Sequence, residues 1–152
     1  MMLAAVLAAA ATAAAPPPGT WMAVTPKDAA VSLTYAPPGA PGPVLTMVCE
    51  RGTGQIAFNV VLAAPPGGWP AGRDSIPLSV ILTSGAQVST LRGLAQPIAG
   101  GVRLSSEVAT RAPVIDTFSD TGLIAISTKT QLAVAPTPAP RGTARKFLGP
   151  CK

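Results

Sequence analysis

The chain contains no histidine, and this absence excludes several kinds of chemistry. Ser-His-Asp and Cys-His catalysis, His-ligated zinc sites and acid–base catalysis by imidazole all require that side chain. Any catalysis would have to rely on carboxylates or lysines. We therefore expect a protein that is not an enzyme and that holds neither a metal nor a cofactor.

Charged and aromatic side chains are also scarce. Charged residues make up 11% of the chain, whereas soluble domains contain roughly 25%. The net charge is +5 and aromatic residues are 4%, so the scattered basic residues have few aromatic residues among them. This composition argues against nucleic-acid binding.

The N-terminal residues lack charge and are apolar or small throughout residues 1–15. Such a run is too short to span a bilayer, which takes about 20 residues, but it has the size of a secretory signal peptide. Ala11-Thr12-Ala13 provides a small-x-small cleavage pattern, which predicts a mature start at Ala14. The alternatives are an alanine-rich helix or a membrane anchor.

This interpretation divides the chain into three parts: a signal peptide over 1–13, an extended leader over 14–28 and a single β-rich domain over 29–152. It predicts a periplasmic or secreted protein with no transmembrane span after signal cleavage.

Two cysteines in an exported chain predict one disulfide, between Cys49 and Cys151. Cys49 shares a strand face with Leu45 and Met47, so its side chain should point inward. The bond would close a loop of about 100 residues and hold the C-terminus onto the core. A free thiol and an intermolecular bridge are the alternatives.

Proline (18 residues) and glycine (15 residues) punctuate short alternating apolar segments. This pattern predicts a mainly β fold: an antiparallel sandwich or a partly open barrel of about seven or eight strands with one or two short helices. In the first helix Pro113 suits the first position and Gly122 the C-terminal cap. Thr143 should cap the second helix. The expected strands are 30–35, 44–50, 55–62, 76–83, 86–92, 101–109, 123–128 and 131–135.

Trp69 lies on a loop rich in glycine and proline, with Arg73 and Asp74 nearby. An aromatic residue on such a loop can anchor a ligand, with the charged residues as polar partners. The alternative is that Trp69 folds back and caps one end of the core. Trp21, near the mature N-terminus, should instead pack onto the domain and hold the leader.

Two further charged groups are candidate sites. Asp116 and Asp120 are spaced i, i+4 on the first expected helix, and paired carboxylates can hydrolyse glycans. A solvated helix face explains the same spacing. Near the C-terminus, a candidate basic patch could bind an anionic glycan or lipid weakly and in a salt-dependent way. It consists of Arg141, Arg145, Lys146 and Lys152.

From Cys49 onward the layout resembles a loose group of small exported proteins of Gram-negative bacteria, which includes the periplasmic accessory proteins of type VI secretion. The shared features are a leading Trp21, a strand Cys49, "PVIDTFSDTGLIAIS" and a "KFLGPC" ending. The chain departs from the group at "APTPAP". The resemblance implies a non-enzymatic envelope domain, with an unknown envelope protein or an anionic glycan as its partner.

Overall fold

The structure, a computed structural model, describes residues 19–130, 132–134 and 136–152. The expected signal peptide over 1–13 and the first part of the expected leader lie outside these residues. Within the described ranges, no helix has the length and apolar character needed to cross a membrane.

Within these residues, nine antiparallel strands form one sheet, in the order β1-β2-β3-β4-β7-β6-β5-β8-β9. Two short helices and a terminal 3-10 turn complete the described fold, with α1 at Pro113–Thr121, α2 at Thr143–Leu148 and the 3-10 turn at Gly149–Cys151. The strands are β1 Thr20–Val24, β2 Val31–Ala36, β3 Leu45–Cys49, β4 Gln55–Leu62, β5 Ile76–Ser84, β6 Gln87–Ile98, β7 Gly101–Ala109, β8 Ala125–Thr128 and β9 Leu132–Val134.

The sheet curls until β9 contacts β4, so it forms a half-barrel rather than two stacked layers. The predicted mainly β class is confirmed, and the partly open barrel is the architecture found. The strand that the sequence analysis did not count is β1, which lies within the expected leader and pairs with β2 along its whole length.

β1 joins the sheet because alternate residues reach the core. Trp21 and Ala23 are partly buried against it, whereas Met22 and Val24 are 57% and 48% exposed. The Trp21 ring packs against Tyr35 and Phe118, with ring centroids 5.1 and 6.1 Å away. Its Nε1 donates a hydrogen bond to the Thr137 carbonyl oxygen over 2.8 Å. Trp21 therefore holds the leader onto the domain, as predicted.

Helix α1 begins and ends where the sequence predicts. Pro113 occupies the first turn, and Gly122 closes the helix with a φ of 71°. A Cβ on Gly122 would lie 2.5 Å from the Ala139 carbonyl oxygen, so glycine is required both by the backbone and by the space.

The prediction that Thr143 caps α2 is wrong. The capping residue is Gly142, with a φ of 87°, and no side chain bonds to the end of the helix. Thr143 is instead the first helical residue. The chain enters α2 through a left-handed backbone conformation, which glycine adopts at little cost. This backbone requirement at position 142 outweighs the preference of threonine for the capping position.

Both helices cover the same end of the concave face. α1 packs on β5 and β6 beside the turn that joins them, and α2 packs on β1 and β2. Their apolar side chains form one core with the inward residues of the strands. The helical members of this core are Val114, Ile115, Phe118, Ala144, Phe147 and Leu148.

The predicted Cys49–Cys151 disulfide is confirmed, and it fastens the C-terminus to the covered end. The two Cα atoms are 5.8 Å apart, a spacing typical of disulfides, and both residues are buried. Two backbone hydrogen bonds reinforce the attachment. The amides of Gly52 and Gly54, in the turn between β3 and β4, donate to the carbonyl oxygens of Pro150 and Cys151 over 3.2 and 3.0 Å.

Replacing both cysteines by alanine should lower the free energy of unfolding by about 4–5 kcal/mol, because the bond closes a loop across 102 residues. Urea titration of the oxidised chain and of the Cys49→Ala/Cys151→Ala variant measures this difference. The control is wild-type protein titrated with urea in the presence of a reductant, and its free energy of unfolding should match that of the variant. Equal midpoints for all three samples would contradict a stabilising role of the bond.

Candidate functional site

The end of the half-barrel that the helices do not cover contains an apolar groove of about 1150 Å³. It runs across the sheet from β4 through β7, β6, β5 and β8 to β9, and the loop after β4 forms one wall. The apolar side chains on its strand walls are Val61, Leu62, Ile76, Leu78, Ala95, Val102, Leu104, Leu132 and Ala133.

Strand register explains why these residues converge. Leu62 pairs with Val102 at the open end of β4, whereas Ile56 pairs with Val108 at the covered end. Every second side chain of these strands therefore still points inward beyond the part that the helices cover. At the covered end such apolar side chains form the core, and at the open end they line the groove. Leu104 and Val102 are buried, while Leu62 is only partly buried.

Small residues on β6 make room for the groove. Ala95 lies opposite Leu104 on one side and Ile76 on the other, so the centre of the wall carries only a methyl group. Gly93 lies two residues earlier, and a Cβ there would come within 2.3 Å of a Val80 methyl group. Gly93 therefore lets Val80 pack closely on β6, whereas Ala95 leaves the space that the groove occupies.

The structure separates the three residues of the candidate binding loop. Trp69 is partly buried and lines the groove, and its Nε1 donates a hydrogen bond to the Arg73 carbonyl oxygen. This bond braces the loop internally and leaves the indole ring as an apolar wall. The side chains of Arg73 and Asp74 are exposed, and neither residue lines the groove.

The turn between β8 and β9 forms the opposite rim. Thr128, Lys129 and Thr130 all line the groove there. The hydroxyl groups of the two threonines are 3.3 Å apart, and the Thr130 amide donates to the Thr128 hydroxyl oxygen. This local bonding shapes a turn with Lys129 at its exposed centre.

The two charged candidate sites from the sequence meet at the covered end of the molecule. Arg145 bonds to Asp120 over 2.8 Å, with both side chains 68% exposed. Asp116 and Lys152 lie around the same hollow, of about 400 Å³. The candidate catalytic pair and half of the candidate basic patch thus form one exposed surface of mixed charge.

The remaining two basic residues, Arg141 and Lys146, are exposed and do not line that hollow. The ion pair between Arg145 and Asp120 is exposed and therefore contributes at most about 1 kcal/mol to stability. Its main consequence is that Arg145 has an anionic partner already. Among the described residues, no group of His, Cys, Asp or Glu side chains could hold a metal ion.

The groove was not predicted from the sequence, although its wall residue Trp69 was a candidate binding residue. The alternation of apolar and polar residues within each strand is visible in the sequence. The groove, however, depends on which end of the strands the helices cover, and the sequence does not show this. A weak signal exists in β6, where Gly93 and Ala95 replace the larger residues found at most other inward positions.

Fold and groove together define a β-rich half-barrel with an open, ligand-sized apolar site. Comparison of the chain with protein-family models, with curated proteins and with solved structures found no match.

Proposed function

We propose that this protein is a non-catalytic exported domain that binds an apolar ligand in the groove. The observation that carries the proposal is the composition of the groove walls. Leu62, Ile76 and Leu78 remain partly exposed there beside fully buried core residues. Covering such surface is favourable by about 25 cal/mol per Å², so a ligand that fills the groove gains free energy.

The size of the site supports this function. Small-molecule pockets typically enclose about 300–1,000 Å³ and are lined mainly by apolar side chains. The groove, at about 1150 Å³, lies slightly above this range, and its floor consists of paired strands. The site therefore needs little ordering when a ligand binds, which limits the entropic cost of binding.

Two features support a role without catalysis. The chain has no histidine, and the one acidic pair considered for glycan hydrolysis, Asp116 and Asp120, lies on a single nine-residue helix. Two carboxylates on one face of so short a helix would not flank a sugar bond, as the two carboxyl groups of a glycosidase do. Hydrolysis of envelope glycans is thus the less favoured alternative.

Export is supported by the disulfide together with the apolar N-terminal sequence. Structural disulfides are rare where glutathione and thioredoxin keep thiols reduced, and they persist in the periplasm and outside the cell. The domain would accordingly act in the periplasm or in the medium.

A neutral fluorescent probe tests binding at the groove. N-phenyl-1-naphthylamine should bind the oxidised protein saturably, and Ala95→Phe should weaken its binding by about tenfold or more because the new ring occupies the site. Val88→Phe is the matched control, since it adds the same ring on β6 at a position that is 62% exposed and remote from the groove.

Trp69→Ala provides a second variant that removes a groove wall without adding bulk, and it should also weaken the probe. If the probe binds wild type, Ala95→Phe and Trp69→Ala equally well, then the groove is not the binding site. Circular dichroism of each variant verifies that the fold persists.

Mass spectrometry of the exported chain tests the compartment. The native protein should start at Ala14 and should resist alkylation until reductant is added, because the signal peptide has been removed and both thiols are bonded. A full-length chain with two freely alkylated thiols would contradict export.

A further inference from the structure

We infer that the ligand of the groove is a single-chain amphiphile with a carboxylate head: the acyl chain lies in the groove and the carboxylate pairs with Lys129. This inference rests on the proposed function and specifies its ligand class. It does not involve the surface of mixed charge around Asp120 and Arg145 at the opposite end of the molecule.

Charge is the first argument. Among the described residues that line the groove, Lys129 is the only one with a charged side chain, and the polar side chains are Ser79, Thr128 and Thr130. Three of these four residues lie at the end of β8 and in the turn that follows it, so the polar side chains are concentrated at one rim. A ligand that matches this distribution is apolar along most of its length and anionic at one end.

Lys129 is available to such a head group. The ion pair formed within the described part of the chain is Arg145–Asp120, so Lys129 has no carboxylate partner there. Its side chain is exposed, and the hydrogen bonds between Thr128 and Thr130 fix the turn that carries it. Pairing with a ligand carboxylate would therefore displace no existing ion pair.

Hydrogen bonding favours an acyl chain over a peptide. The floor of the groove consists of strand faces, and the backbone groups of these strands are already paired within the sheet. A peptide in the groove would leave many of its own amides without partners, which is costly away from water. The free edge of β9 could pair with a peptide strand, but it has only three residues, Leu132–Val134.

A bulky glycan fits the site less well for a related reason. Its many hydroxyl groups would face leucine, valine and alanine side chains across most of the groove. An acyl chain has no polar groups to satisfy, and each buried methylene contributes to affinity by about fourfold.

Competition against bound N-phenyl-1-naphthylamine tests the inference on the mature, oxidised protein. The competitors are dodecanoate and dodecanol, which share a chain length and differ in head group, with decanoate and tetradecanoate for the length dependence. Measurements at pH 8 keep the carboxylates ionised, and concentrations stay below those at which micelles form.

Dodecanoate should bind up to about fivefold more tightly than dodecanol, the size expected for an exposed ion pair. The ratio should fall towards one in Lys129→Gln, and also in wild type as salt is raised. Lys146→Gln, which removes an exposed lysine at the covered end, should keep the wild-type ratio. From decanoate to tetradecanoate the affinity should rise with each added methylene.

Different failures have different meanings. Equal displacement by dodecanoate and dodecanol would overturn the carboxylate head while the groove remains a binding site. If neither dodecanoate nor dodecanol displaces the probe, although Ala95→Phe still weakens probe binding, then the ligand is not an amphiphile. That result would point to a peptide segment instead. If the probe itself fails to bind at the groove, the proposed function fails together with the inference.

Discussion

The attachment of the C-terminus through Cys49–Cys151 holds the short helix α2 over one end of the concave face. The bond joins the end of β3 to the turn that follows α2, and the amides of Gly52 and Gly54 bond to the same short segment. With its C-terminal end fixed there, α2 packs against β1 and β2, and α1 lies beside it. Two helices of nine and six residues then complete the core at that end. Because each residue of a helix adds only 1.5 Å, helices this short cannot also cover the far end of strands as long as β6.

The groove follows from this mismatch between a long sheet and short helices. The inward alternation of β4, β5, β6 and β7 continues to the open end, where Leu62, Val102 and Leu104 meet no helix. The loop with Trp69 and the turn with Lys129 border the exposed surface on opposite sides but do not close it. A concave, mainly apolar site with a few polar groups at its rim is the usual form of a small-molecule binding site. The fold thus supplies a rigid apolar floor, an aromatic wall and one cationic rim.

Much of this fold could be predicted from the sequence because its signals are local. Alternation in "VSLTY" and "VLTMVC" identified strands, and the Pro113 and Gly122 positions identified the bounds of α1. The disulfide was predicted from the presence of two cysteines in a chain expected to be exported and from the inward-facing position of Cys49 on its strand. By contrast, the β1 strand depends on the packing of Trp21 against Tyr35 and Phe118, which are distant in sequence. The cap of α2 failed because a backbone requirement at Gly142 outweighed a side-chain preference. The groove was not predictable, since it depends on the tertiary arrangement of every strand from β4 to β9.

The central claim is that the open end of the half-barrel, and not the helix-covered end, receives an apolar ligand. Methyl NMR of the protein titrated with a neutral apolar probe tests this most directly. We expect chemical-shift changes at Leu78, Val102 and Leu104, with no change at Ile115 of α1 and Leu148 of α2. Changes centred on Ile115 and Leu148, or no saturable change at any methyl group, would contradict it.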